Sequence, residues 1–227
     1  MLLERYPYVN SLIEIQLRRL KLRTNIIVDV GAFNGKNCLS VAKHIKNSIT
    51  YAIEPYSRAY KNLVKLSKKV KNIKPYNLAI TDNNGETILY FIPNKDIPQS
   101  SSLYSEFTNS KNSKEKTEIV RTMTLSSFCI WQQIEEITFL KLNCEGSEYN
   151  IFEDKSSRNI IKSTKIIYVA LHGKSHRFIS IEYQRKKRFI NWFLKRNNFK
   201  LIFGDDVTKM KKDPLRHVNQ IWLNMYS

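Results

Sequence analysis

Acidic residues, glycine and cysteine are all scarce in this chain, and no long apolar run occurs. Twenty Asp and Glu stand against 38 Lys and Arg, giving a formal net charge of +18 over 227 residues. A field of that size attracts anions such as nucleic acid, acidic glycans, phospholipid head groups or nucleotide-linked sugars. The abundant Lys, Asn and Ile that an AT-rich genome favours would produce the same excess with no partner at all. Three cysteines, Cys38, Cys129 and Cys144, are odd in number and far apart. With no Cys-x-x-Cys pair they exclude a disulfide framework and a structural zinc site, and they suit a reducing cytoplasm. No segment approaches the roughly 20 apolar residues that cross a bilayer. Glu4, Glu14, Arg18 and Arg19 interrupt the stretch that a signal peptide would need. Glycine, six residues in all, forms neither Gly-x-Gly-x-x-Gly nor a Gly-Lys-Ser/Thr phosphate loop, although Gly35-Lys36 is a fragment of the latter.

What is present reads as one α/β domain with its own core. Leu12, Ile13, Leu17 and Leu20 keep a helical period within residues 2–22, predicting an N-terminal helical extension over 1–24 ahead of a domain over 25–227. Ile26–Val30, Ile49–Ile53 and Ile73–Leu78 read as strands, and Lys36–Lys46 and Ser57–Val70 as the helices between them. Strands without polar alternation are buried on both faces, which implies parallel βαβ crossovers and a doubly wound sheet. Asn83-Asn84-Gly85 precedes an added strand at Thr87–Phe91. The polar stretch Pro93–Glu118 is expected to be a loop or lid. Ile137–Leu142 and Lys165–Leu171 are further buried strands around a helix at Ser147–Ile161. Ile181–Arg196 is a last helix, and Phe199–Phe203 and Gln220–Met225 close the sheet as an antiparallel pair.

Three places carry chemistry. Val28-Asp-Val-Gly-Ala-Phe-Asn-Gly35 delivers a strand into a glycine turn and then a helix. Backbone N–H groups approach a ligand closely where glycine leaves no side chain, although a plain strand–turn–helix junction also uses glycine. Glu54 ends the second strand at the carboxyl edge of the sheet, where open α/β folds bind ligands. An acid there can accept hydrogen bonds from both hydroxyls of a ribose, and with the glycine turn it fits a nucleoside without phosphate. Phe139-Leu-Lys-Leu-Asn-Cys-Glu-Gly-Ser-Glu148 ends a third strand in acidic residues. Glu145 and Glu148 would share one face of a first helical turn and suit its positive end, or simply cap it.

Asp29-Val-Gly-Ala-Phe-Asn-Gly35, Ile53-Glu-Pro55, Asn77-Leu-Ala79 and Phe139–Glu148, in that order, resemble the landmarks of FkbM methyltransferases, over about Ile26 to Leu171. The resemblance implies a Rossmann-like seven-strand methyltransferase fold and S-adenosyl-L-methionine as cofactor. Asp29, Gly31, Ala32, Asn34 and Gly35 would then hold its methionine end and Glu54 its ribose, with Pro55 and Ala79 alongside. Asp82 would lie near the adenine, and Asn143 and Glu145 would face the reaction centre. Ser100–Leu103 resembles a serine-bearing stretch of the family that covers the site. The chain departs from the family pattern at Asn143 and Ser126, where Asp is common, and at Ala170-Leu171-His172, where Glu-x-His is frequent. No metal is expected.

Methyl transfer to a hydroxyl gains from a base. His172, which follows a central strand and titrates near neutrality, is the leading candidate, ahead of His176 and His217. Glu145 would instead orient the acceptor, and Cys144 has no base partner to make it a nucleophile. The leading expectation is O-methylation of a small-molecule or glycan-like acceptor, anionic ones included. RNA is the alternative acceptor, suggested by Arg185-Lys-Lys-Arg188 and Lys209–Lys212, although the sequence shows no aromatic-rich basic stripe. A noncatalytic binding module, suggested by Asn143 and Ala170, is the third reading.

Overall fold

In the computed structural model, residues 15–16, 24–45, 47–92, 101–105, 116–173, 181–207 and 218–226 are described. The N-terminal extension lies outside them apart from Ile15, Gln16 and Thr24, as do His176, His217 and Lys209–Lys212.

Strand β1 (Asn25–Val30) leads through helix α1 (Lys36–His44) to β2 (Ser48–Ile53), and α2 (Ser57–Lys69) leads to β3 (Ile73–Tyr76). The chain then crosses to the other side of β1, where β8 (Phe139–Leu142) and β9 (Ile166–Leu171) follow. Helix α6 (Ile181–Arg196), β10 (Phe199–Phe203) and β11 (Val218–Asn224) complete a seven-stranded sheet in the order β10-β11-β9-β8-β1-β2-β3. The strands β1, β2, β3, β8 and β9 run parallel, and β11 is antiparallel to both β9 and β10. Every residue of β8 and β9 is buried, as strands covered on both faces require. Pro75, which has no N–H to donate, sits in β3 at the sheet edge.

Four elements differ from the sequence expectation. Ala79–Thr81 (β4) leaves the main sheet and joins β5 (Gly85–Phe91), β6 (Ser101–Ser102) and β7 (Lys116–Thr124) in a second sheet, ordered β4-β7-β5-β6. Strand β7 takes in the last residues of the expected loop. Its burial alternates, with Val120, Thr122 and Thr124 buried but Ile119 73% exposed, so its mean polarity hid it. Helix α3 (Leu125–Trp131) was not expected; the Thr124 hydroxyl caps it by accepting from Ser127 N–H at 3.0 Å. The helix expected over Ser147–Ile161 is two, α4 (Glu148–Glu153) and α5 (Arg158–Ser163). Between them Asp154 accepts from the N–H groups of Ser156 (3.0 Å) and Ser157 (2.9 Å), the local bonding by which Asp competes with helix.

Candidate active site

The order in which strands are laid across the sheet reverses at β1, flanked by its parallel neighbours β2 on one side and β8 on the other. That switch point puts the ends of three strands, and the loops after them, around one crevice.

The turn after β1 is held by the end of β2. Gly31 and Ala32 both donate to Ile53 O at 3.0 Å, and Phe33 donates to Glu54 Oε2 at 2.8 Å. Glu54 Oε1 accepts from Tyr56 N at 3.0 Å. The carboxylate of Glu54 thus joins the two motifs directly. It is 3% exposed, and burial pushes it up to about 7 although those two N–H bonds pull it down. Asn77 closes the outside of the same loop, its amide donating to Glu54 O (3.0 Å) and Pro55 O (2.8 Å). This gives the Asn77-Leu-Ala79 landmark a structural reason that its sequence does not disclose.

The glycines serve chain packing. A Cβ on Gly31 (φ +76°) would lie 2.0 Å from Asn143 O, and one on Gly35 (φ +77°) within 2.8 Å of Leu63 and Leu66. Close approach to a ligand was the sequence-based reason for both, but the strand β8 loop and helix α2 fill those spaces. Asn34 Oδ1 accepts from Lys36 N at 3.2 Å and steadies the start of α1.

Asp29 is 2% exposed, and its two oxygens have partners: Lys141 Nζ at 2.5 Å and the donating thiol of Cys38 at 2.9 Å. Lys141 also donates to Gly31 O at 3.2 Å. A buried ion pair of this kind costs desolvation on both sides and holds together only with such added bonds. The sequence signal for it was a lysine inside the otherwise apolar Phe139–Leu142, which cannot stay buried without an anion.

After β8 the chain turns through Glu145 (φ +50°) and Gly146 (φ +109°) into α4. Glu145 therefore precedes the helix, and it does not share a helical face with Glu148. The two converge instead on His172, at the end of β9. His172 Nδ1 lies 2.8 Å from Glu148 Oε1 and Nε2 lies 3.3 Å from Glu145 Oε1. Glu148 is fully buried and also accepts from the N–H groups of Cys144 (2.7 Å) and Gly146 (2.9 Å). Burial opposes its charge, but the His172 cation and these N–H bonds outweigh it and hold the carboxyl below its usual range. For His172 burial also works against charge, and Glu148 with Glu145 overrides it, raising the ring to about 10. A base needs a free lone pair, so this imidazolium, with both nitrogens turned to carboxylates, does not have the state expected of it from sequence. Tyr149, equally buried, donates its hydroxyl to His172 O.

The second sheet closes over this turn. Ser102 Oγ, 1% exposed, donates to Glu145 O at 2.6 Å. Asn150 on α4 donates to Asp82 Oδ2 (2.9 Å) and accepts from the Tyr104 hydroxyl (2.7 Å). Phe33 and Leu103 pack on a buried cluster that includes Tyr56, Ala79 and Phe91. Ser102 lies in the serine-bearing stretch that the family resemblance singles out, whereas Tyr104 and Asn150, 46 residues apart, carry no sequence signal of their meeting.

Residues 29–201 match the family described as the methyltransferase FkbM domain, about three quarters of the chain. The chain belongs to this family. Its fold is similar to that of methyltransferase FkbM from Methylobacillus flagellatus KT, at 13% identity and a TM-score of 0.52, over 88% of this chain and 44% of that one. It is also similar to WbdD, at 12% identity and a TM-score of 0.51, over 99% of this chain and 40% of that one. The chain thus spans less than half the length of either. No protein of curated function is significantly similar in sequence.

Within the FkbM domain, then, Asp29 stands in β1, Gly31, Ala32, Asn34 and Gly35 in the turn after it, and Glu54 and Pro55 directly after β2. Asn143 and Glu145 follow β8, and His172 follows β9. Asn143 donates its backbone N–H to Val30 O at 3.1 Å, and its side-chain amide has no hydrogen bond among the described residues. Ala79 opens β4 and is buried, and Asp82 follows that strand. Among the described residues no helix is long and apolar enough to cross a membrane, and no three His, Cys, Asp or Glu side chains group as metal ligands.

Proposed function

We propose that this FkbM-family methyltransferase uses S-adenosyl-L-methionine to methylate a hydroxyl of a small-molecule or glycan-like acceptor. The carrying observation is Glu54, a buried carboxylate at the switch point, fixed by the N–H groups of Phe33 and Tyr56. Each of its oxygens keeps acceptor capacity beyond that one bond, which suits a ribose diol. The Gly31–Gly35 turn would border the methionine end, with Pro55, Ala79 and Asp82 toward the base. The open amide of Asn143 would face the sulfonium region, where a carboxylate would otherwise add charge. When bound, the cofactor supplies an electrophilic methyl group.

What this chain's own residues do follows from the cluster opposite. Glu145 keeps its side chain 28% exposed while one oxygen faces His172 Nε2. The imidazolium holds that carboxylate in place, and Glu148 holds the imidazolium. Glu145 is then the group to accept a hydroxyl proton or orient the hydroxyl, with His172 and Glu148 positioning it. Calorimetry with S-adenosyl-L-methionine and methyl transfer to a panel of hydroxyl acceptors test this. Binding with labelled product, lost in Glu145→Gln while affinity persists, supports it; no heat at millimolar cofactor overturns it.

A further inference from the structure

The outer face of α6 carries two neighbouring rings flanked by arginines. Phe189 and Trp192 stack at 6.1 Å with 30° between planes. The Arg196 guanidinium lies 5.9 Å from the Trp192 ring and that of Arg158, from α5, 5.6 Å from the Phe189 ring. Arg185, Arg188, Trp192 and Arg196 follow at helical spacing, while Ile190, Phe193 and Leu194 are buried on the opposite face. Trp192 is 52% exposed.

The run Arg185-Lys-Lys-Arg188 separates in space into different roles. Lys187 is buried, and Lys186 pairs with Glu153 (3.3 Å) and Glu182 (3.4 Å). Lys195 pairs with Asp206 at 2.5 Å. The lysines thus take the nearby carboxylates, and among the described residues Arg185, Arg188 and Arg196 form no ion pair. The chain has 26 lysines and only 12 arginines, so a composition rich in lysine does not account for a stripe of guanidinium groups.

We propose that this α5/α6 face docks single-stranded nucleic acid, with the Trp192–Arg196 pair as a stacking platform and Arg185 and Arg188 on the phosphates. A guanidinium within cation–π reach of an exposed indole puts a flat cation beside an aromatic face; the indole takes a base and the guanidinium N–H edge reaches phosphate oxygens. Duplexes, whose bases are already stacked, gain only the charge. An anionic membrane fits less well, because the apolar side of α6 is spent on the core and only Trp192 is left to insert. The surface stands independently of the methyl-transfer reading.

The test uses the full chain and a labelled single-stranded oligoribonucleotide of mixed sequence, followed by anisotropy across salt concentrations. Replacing Arg185, Arg188 and Arg196 together by Gln is expected to lower the salt slope by about 2, at roughly 0.7 per phosphate lost. Trp192→Ala, at an exposed position, is expected to weaken binding roughly tenfold with the slope unchanged. Replacing Lys61, Lys65 and Lys68, exposed on α2, by Gln removes the same charge from another face and is expected to leave most affinity intact. Equal weakening by this control means the whole-protein field binds, and overturns the proposal. So does equal affinity for a duplex, unchanged binding in Trp192→Ala, or loss of phosphatidylserine-vesicle binding in the arginine variant with RNA binding retained. Cofactor affinity unchanged in all three variants keeps the result separate from the catalytic site.

Discussion

Glu148 and His172 form a buried pair, Oε1 to Nδ1 at 2.8 Å, in which the carboxylate also binds the two N–H groups of the turn before α4. Removing the carboxylate takes the nearer counter-charge from His172 and leaves two turn amides without their acceptor. Glu148→Ala is therefore expected to cost about 3–5 kcal/mol in urea unfolding, as broken buried pairs do. The His172 ring, held near 10 with Glu148 in place, should titrate closer to its ordinary 6.5 by NMR in that variant. A ring that still titrates near 10 without Glu148 would show that Glu145 alone sustains the charge.

The pH dependence of this pair has a definite sign. His172 is raised in the folded state, so its contribution is complete below 6.5 and is lost as pH rises through about 10. Glu148 is lowered, so its contribution is present above 4.5 and is lost as pH falls through its folded value. His172→Gln should remove the alkaline loss of stability between those two histidine values. Parallel stability curves of wild type and variant across that window would contradict it.

Glu54 has the opposite character, a carboxylate raised from 4.5 to about 7 by burial. The unfolded carboxyl ionises near 4.5 and the folded one only near 7, so stability is lost as pH rises from 4.5 to about 7, and Glu54→Gln is expected to gain relative stability across that window and keep the gain above it. If the ribose binds here, affinity should move the other way, strengthening in wild type as the carboxylate ionises. Glu54→Ala should weaken S-adenosyl-L-methionine on the order of tenfold to a hundredfold, the range for a charged hydrogen-bond acceptor. Calorimetry on both sides of neutrality separates the two effects, and affinity indifferent to both pH and the Ala change would place the ribose elsewhere.

The sheet was legible because its strands are buried on both faces, and an unbroken apolar run such as Ile166–Leu171 leaves few alternatives. The neighbourhood of Gly31 and Glu54 followed from the rule that strand ends gather at a switch point. Of the second sheet only the strand at Thr87–Phe91 was legible, because strands with one wet face, like Lys116–Thr124, carry as many charges as a loop. His172 shows the limit most clearly. Its position at a strand end was readable, but its protonation depends on two carboxylates that reach it from a turn and a helix 27 and 24 residues earlier, and no local pattern reports that meeting. Lys141 is the reverse case, a charge inside an apolar strand whose partner Asp29 was already in view.

Gly31 is where the two halves of the crevice touch through backbone alone. A methyl there would meet Asn143 O at 2.0 Å in a conformation, φ +76°, that side chains rarely adopt. Asn143 cannot retreat without breaking its own N–H bond to Val30 O at 3.1 Å, so strain and clash add. Gly31→Ala is expected to destabilise by more than about 3 kcal/mol, in the range reserved for overpacking at a special backbone position. Gly85→Ala is the comparison, since its φ of +147° is also unusual but nothing lies within 4 Å of the added methyl. If thermal unfolding finds the two variants equally affected, backbone conformation alone sets the cost and the contact with Asn143 is not tight.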